Sequence, residues 1–316
     1  MSKRSEPVSA EACVALAAGE RRLDAYPNRD LNLGSLQVSR ALPIRERRLV
    51  GPWCFLDRFG PLTFTDGKPM DVAPHPHIGL QTVTWLHAGE IVHDDSLGVE
   101  SVLRPGGVNI MTTGRGLAHA EQTPPDHTGR LDGVQLWTAL PEAHRTATPG
   151  FAHVSEVPAV EWPSGVVQVF AGTIDTATAP GPYYSAIVGA DLRVHAGRAL
   201  EVPVDRTHEH ALLVMSGRSA LDGQPLEERM LYYLGTDRDT ICVSSDHGAR
   251  VLLVGGQPFA ESILMWWNFV ARTPEEIAEA REDWESHRRF GDVRAYNGPR
   301  LAAPRLTQLA RPTPVS

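Results

Sequence analysis

From Val38 onward the chain consists of short apolar runs bounded by Gly, Pro and Asp. Examples are Gln81-Thr82-Val83-Thr84-Trp85-Leu86, Gly107-Val108-Asn109-Ile110-Met111 and Val134-Gln135-Leu136-Trp137. Val166 to Phe170, Ala211 to Met215 and Arg250 to Val254 continue the series. These runs are rich in Val, Ile, Thr and aromatic residues, which fit a pleated, half-buried surface. Turn residues recur roughly every ten positions, so the pattern predicts an all-β sandwich or barrel, not alternating βαβ units. A loose duplication is visible: Leu86-His87-Ala88-Gly89 and Met215-Ser216-Gly217 each close a strand in a similar strand–turn–strand region. Two tandem barrels follow, with a boundary near residues 155–166, where Pro158, Pro163 and Gly165 cluster.

One segment has helical spacing instead. Thr273 reads as an N-cap, Pro274 as the first helical residue and Glu276 as the capping-box partner. Ile277, Ala280, Trp284 and Arg288 then share a face, and Gly291 is the expected end. Residues 1–36 are weakly patterned and read as an N-terminal extension, with Ala10 to Ala18 a short helix or mobile arm. The expected division is 1–36 extension, 37–160 first barrel, 161–298 second barrel and 299–316 irregular tail.

Composition narrows the function classes. The 316 residues fit two domains of ordinary size. The net charge of -8, with no Lys or Arg run, argues against direct nucleic-acid binding, because phosphate neutralisation needs clustered cations. No apolar stretch approaches the roughly 18 residues of a membrane span. Ala17-Ala18-Gly19 imitates a cleavage site, but the apolar stretch before it is short and broken by Glu11, so a cytoplasmic location is expected. Cys13, Cys54 and Cys242 are far apart and form no CxxC, which argues against a disulfide framework or thiolate zinc site.

The candidate chemistry lies in two short blocks. In Pro74-His75-Pro76-His77, residues two apart on an extended chain project to one side, so both imidazoles can converge on one ion. His119-Ala120-Glu121 repeats the device. If the barrel brings these strands together, one interior face supplies three imidazoles and a carboxylate. Such donors suit divalent iron, and also manganese, cobalt, nickel, copper and zinc. Four protein ligands leave two open positions on an octahedral ion, where water, dioxygen or a chelating substrate can bind. Spacing alone does not decide the matter, because an isolated HxH is common. In the second half, Thr207-His208-Glu209-His210 offers another HxH, but no His-x-Glu returns near residues 241–254, so no second metal site is expected. His87 and His93 flank a turn next to these blocks and read first as solvated turn residues, with a place behind the metal ligands or at the mouth of the site as the alternative. Gly114-Arg115-Gly116 lacks the third Gly and following helix of a dinucleotide loop.

Larger blocks surround these residues. They are Gly51-Pro52-Trp53-Cys54-Phe55-Leu56-Asp57-Arg58-Phe59-Gly60, Pro74 to Thr84, His93-Asp94-Asp95-Ser96-Leu97-Gly98, Pro105-Gly106-Gly107 and Gly114 to Glu121. Gly255-Gly256-Gln257-Pro258, Met265-Trp266-Trp267-Asn268-Phe269 and Thr273 to Ile277 continue them. In order and spacing the chain resembles the pirin family of the cupin superfamily over about residues 37–291. The resemblance implies two tandem cupin (double-stranded β-helix, jelly-roll) barrels with a few short helices. It implies one iron in the first barrel, bound by His75, His77, His119 and Glu121. Many pirins carry Glu where this chain has Gln81, which leaves Glu121 as the only carboxylate there. The implied activity is that of a flavonol 2,3-dioxygenase. A small aromatic substrate such as quercetin would chelate the metal through its 3-hydroxyl and react with dioxygen, with Glu121 as the catalytic proton acceptor and an apolar mouth including Trp85 and Phe59. The alternative is a metal- or redox-dependent regulator that binds a transcription factor or metabolic enzyme.

Overall fold

A computed structural model describes residues 11–13, 21–33 and 36–306. The protein is built from two β-barrels, each a seven-stranded sheet facing a four-stranded one. In the first barrel the large sheet runs in the order Gly150–Val154, Val108–Thr112, Leu80–Gly89, Arg130–Ala139, Trp53–Thr63, Leu36–Leu42, Arg29–Leu33. Its small sheet runs Asp71–His77, Leu117–Gln122, Ile91–Asp95, Glu100–Leu103. The second barrel repeats the plan. Its large sheet is Ala159–Trp162, Gly165–Ala171, Ile187–Val194, Ala249–Gly256, Glu209–Gly217, Met230–Gly235, Arg21–Pro27. Its small sheet is Arg198–Pro203, Thr240–Ser245, Ser219–Leu221, Gln224–Leu226.

The period-2 alternation of the apolar runs divides their side chains between two cores. From the first barrel, Val83, Trp85, Val108, Ile110, Val134 and Leu136 point outward, into a shared core with Phe170, Ala211, Leu213 and Leu252 of the second. The intervening residues face their own barrel's interior. The large sheets thus pack face to face, and this seam is the main apolar core between the barrels. The Trp53 indole N–H donates to the carbonyls of Val188 and Gly255 across it, at 3.0 Å each. Charge is buried there too. The Trp85 indole N–H donates to Asp191 at 2.9 Å, the Arg250 guanidinium pairs with both oxygens of Asp191, and His87 Nε2 lies 2.9 Å from the same carboxylate. Burial opposes a charge on His87, but Asp132 and Asp191 outweigh it and raise its pKa. The expectation of a solvated His87 is therefore corrected: its side chain is 2% exposed because the second barrel covers the end of its strand.

The loose duplication seen in the sequence is real at the backbone. Leu80–Gly89 and Glu209–Gly217 hold central places in their sheets and end on Gly89 (φ +86°) and Gly217 (φ +79°). A Cβ at Gly89 would sit 2.0 Å from the Arg130 carbonyl oxygen, so both conformation and space demand glycine.

The N-terminal residues depart from expectation. Arg21–Pro27 is an edge strand of the second barrel's large sheet, paired with Met230–Gly235, whereas Arg29–Leu33 closes the edge of the first barrel's. This segment therefore ties the two barrels together. Glu11–Cys13 pairs with Ile263–Trp266, so this part of the expected helix or arm is a strand; Ala10 and residues 14–18 lie outside the described residues. The few short helices expected reduce to one α-helix among the described residues, Pro274–Glu285. Thr273 Oγ1 accepts from the Glu276 N–H as expected, but Glu276 accepts from the Arg272 N–H, one residue before the cap. The helix ends at Glu285, before Arg288 and Gly291, while Ile277, Ala280 and Trp284 are buried as expected. Residues 299–306 are irregular, and 307–316 lie outside the described residues. No described helix is long and apolar enough to cross a membrane.

Candidate metal centre

Asp71–His77 is the edge of the first barrel's small sheet and pairs with Leu117–Gln122. Proline is tolerated there because an edge strand can turn its missing N–H away from the ladder. Pro74 does so: its carbonyl faces outward and accepts from the Leu301 N–H at 2.9 Å. The register places His119 directly opposite His75. Its ring and those of His75 and His77 therefore meet, and one nitrogen from each falls within 4.8 Å of the others. His77 Nε2 and His119 Nε2 are 3.1 Å apart.

The hydrogen bonds on the far sides of the rings assign the lone pairs. His75 Nδ1 lies 2.9 Å from the Ala73 carbonyl and His77 Nδ1 lies 3.0 Å from the Asn268 carbonyl. A carbonyl only accepts, so each Nδ1 carries the proton and each Nε2 keeps a bare lone pair. Burial holds the pKa of His75 down to about 4, and burial with neighbouring imidazoles drives His77 and His119 well below the usual histidine range. All three rings are therefore neutral near pH 7, the form that ligates metals. Neutral, convergent nitrogens with oriented back sides fit a borderline divalent cation.

Glu121 is not part of the three-nitrogen group. A register shift falls between His119 and Glu121. Its carboxyl is buried; burial raises its pKa, and His93 and a hydrogen bond with Thr84 partly offset the rise. Gln81 is buried and committed elsewhere, donating to Thr112 Oγ1 and to the Pro182 carbonyl at 2.8 Å each. His93, read from sequence as a solvated turn residue, is in fact buried, with its ring stacked on Phe151 and its Nδ1 3.3 Å from His119 Nδ1. Trp85 and Phe59 do not line the group. Trp85 belongs to the inter-barrel core, and Phe59 packs with Leu36, Leu86 and Ile91. The aromatic that does reach the group is Trp137, edge-on to His77 at 5.1 Å. Its alternation in Arg130–Ala139, opposite to Val134 and Leu136, was the available signal.

Among the described residues, clefts of about 310 and 470 Å³ are not lined by the three histidines. The second lies at the mouth of the second barrel, beside His208 and His210. Those rings stand 6.3 Å apart, and Glu209 between them accepts from the Gly51 N–H across the seam and from the Tyr233 hydroxyl of its own barrel. No third donor joins them among the described residues.

Comparison with known proteins agrees with this architecture. The chain is 44% identical over 272 residues to a Pseudomonas aeruginosa protein named "Putative quercetin 2,3-dioxygenase", covering 86% of each. It is 36% identical to a pirin-like protein of Caulobacter vibrioides, covering 83% of this chain and 93% of that one. The solved structure of a quercetin 2,3-dioxygenase from Acinetobacter baumannii superposes with a TM-score of 0.88 at 40% identity, covering 92% of this chain and 97% of that one. The family model Pirin matches residues 35–138, and the model Pirin C-terminal cupin domain matches residues 189–291. The chain belongs to the pirin family, as a protein with two cupin domains.

Proposed function

We propose that the protein is a divalent-metal-dependent dioxygenase acting on a flavonol such as quercetin, with ferrous iron as its ion. The observation that carries this reading is the group of three neutral imidazoles, two of them oriented by backbone carbonyls. The names of the relatives point to the same chemistry. His75, His77 and His119 would hold the ion, with Glu121, two residues along the strand from His119, as the fourth donor. A divalent ion held there would acidify a hydroxyl bound to it and leave positions open to a chelating substrate and dioxygen.

The protein's own contribution is proton handling and exclusion of water. Burial makes the Glu121 carboxylate a stronger base than one in water, suited to taking the 3-hydroxyl proton of a flavonol. Thr84 lies beside that carboxyl and donates its own hydroxyl proton to Gln135 Oε1 at 2.9 Å. Trp137 walls one side of the group, and Phe55 stacks on Trp137 at 3.9 Å.

One observation favours a second reading. His75, His77 and His119 are only 7%, 1% and 1% exposed, a closed site that suits a redox-dependent regulator acting through a protein partner. Oxygen uptake separates the two. The protein is reconstituted anaerobically with ferrous iron, quercetin is added, and dioxygen consumption is followed on admitting oxygen. Uptake that disappears in Glu121→Ala and His119→Ala is the expected result. No uptake with stoichiometric iron bound removes the flavonol dioxygenase reading and leaves the regulator.

A further inference from the structure

His75 and His77 are oriented by backbone carbonyls, but His119 is not. The back nitrogen of its ring, Nδ1, lies 3.3 Å from Nδ1 of His93. His93 in turn presents Nε2 to Asp95 Oδ2, also at 3.3 Å. The other oxygen of Asp95 accepts the N–H groups of Leu97 and Val99, at 2.8 and 3.1 Å, which locks the carboxylate in place. Asp95 sits opposite His119 in the sheet, and Phe151 stacks on the His93 ring at 4.4 Å. The three side chains form a line from the candidate metal centre to a fixed carboxylate.

Of the four ways to place one proton on each ring, two keep a hydrogen bond between the facing Nδ1 atoms. In one, His93 Nε2–H donates to Asp95, His93 Nδ1 is bare, and His119 Nδ1–H donates to it. His119 Nε2 is then a free lone pair facing His77 Nε2. In the other, every proton moves over: His93 Nε2 becomes bare against a carboxylate, and His119 Nε2 carries a hydrogen where a metal would bind. Two acceptors face each other in this second arrangement, so the carboxylate disfavours it. We infer that His93 and Asp95 are positioning residues that set the tautomer of His119, so that its Nε2 is available as a metal donor. Resting on the metal reading above, this makes the buried His93 and Asp95 part of how the centre is built. The backbone does the same service for His75 and His77, so only His119 depends on side chains for its orientation.

The test uses the full chain and zinc(II) alone, a diamagnetic probe. Affinity is read by competition with a chelator, and the histidine tautomers by nitrogen-15 NMR of histidine-labelled protein. His93→Phe keeps the stacking on Phe151 but offers no acceptor. Asp95→Asn can turn its amide toward His93 and reverse the whole line. Both variants are expected to bind zinc about 10–100-fold more weakly. His93→Gln, whose carbonyl can accept from His119, is expected to recover most of the loss, which a purely structural defect would not permit. In wild-type protein His93 is expected to carry its proton on Nε2. If both variants bind as tightly as wild type, or if His93 carries its proton on Nδ1, the inference fails while the metal reading stands. If wild-type protein takes up no stoichiometric zinc, both fail.

Discussion

The two barrels share a plan but not an interior. At the edge and the next place of the small sheet, the first barrel carries His75, His77, His119 and Glu121. The strands at the same places in the second barrel are Arg198–Pro203 and Thr240–Ser245, and they carry Leu200, Val202, Ile241 and Val243, each fully buried. Leu200 faces Val243 and Val202 faces Ile241 across the ladder, much as His75 faces His119. With Val167, Leu192, Val251 and Leu253 they fill a hydrocarbon core. The same fold therefore closes without polar groups at these places. Burying several imidazoles and a carboxylate costs free energy that hydrocarbon would not. The first barrel's polar centre is thus not a need of the fold, as the proposal that it holds an ion requires.

Substitutions can break or sharpen this contrast. The largest loss of stability is expected at the seam that both barrels share. Asp191→Ala would strand the His87 imidazole, the Arg250 guanidinium and the Trp85 indole N–H, and should cost about 3–5 kcal/mol in denaturant unfolding. Next comes the hydrocarbon barrel. Leu253→Ala should cost about 2–5 kcal/mol yet leave metal uptake by the first barrel intact, as chelator competition would show. Val243→His would place a ring at a first-barrel ligand position without partners, and should cost about 1–3 kcal/mol with no ion gained. A stoichiometric second ion in that variant would show that the plan alone suffices to make a centre.

The smallest effect is a pH dependence of the metal-free protein. The pKa values of His75, His77 and His119 are lower folded than the ordinary 6.5, with His75 near 4. The unfolded chain therefore takes up protons first as the pH falls, and stability drops from about pH 6.5 toward 4. Glu121 has the opposite sign, since a raised carboxyl pKa favours the fold at low pH and loses that advantage as pH rises through the folded value. The three histidines outnumber it. Melting temperatures across this range should fall with acidification, and less steeply in His77→Leu. His75 and His119, together with His210 in the second barrel at a pKa of about 3, leave a residual slope in that variant.

What was legible in the sequence follows from the range of the interactions involved. The i, i+2 spacing of His75 and His77 is local, so their shared side could be read directly. The meeting of His119 with His75 depends on strand register, so the repeated spacing only allowed it and the family likeness favoured it. His87 and His93 were misread because turn-flanking residues look solvated until the facing barrel or the neighbouring Phe151 is in place. Arg21–Pro27 was missed because an edge strand alternates exposed with half-buried positions and carries little apolar signal. The helix ended early because His287 adopts φ +55°, so that its N–H bonds the Trp284 carbonyl and the Arg288 N–H reaches back to Asp283. Gly291 merely looked like the stop.

The central claim is that one barrel of the pair holds one ion. Its most direct test is the metal stoichiometry of the purified chain after anaerobic loading with ferrous iron and removal of excess, in wild type, His119→Ala and His210→Ala. One ion per chain, lost with His119→Ala and kept with His210→Ala, is the predicted result. Two ions per chain, or an ion that survives the loss of His119 and disappears with His210, would contradict it.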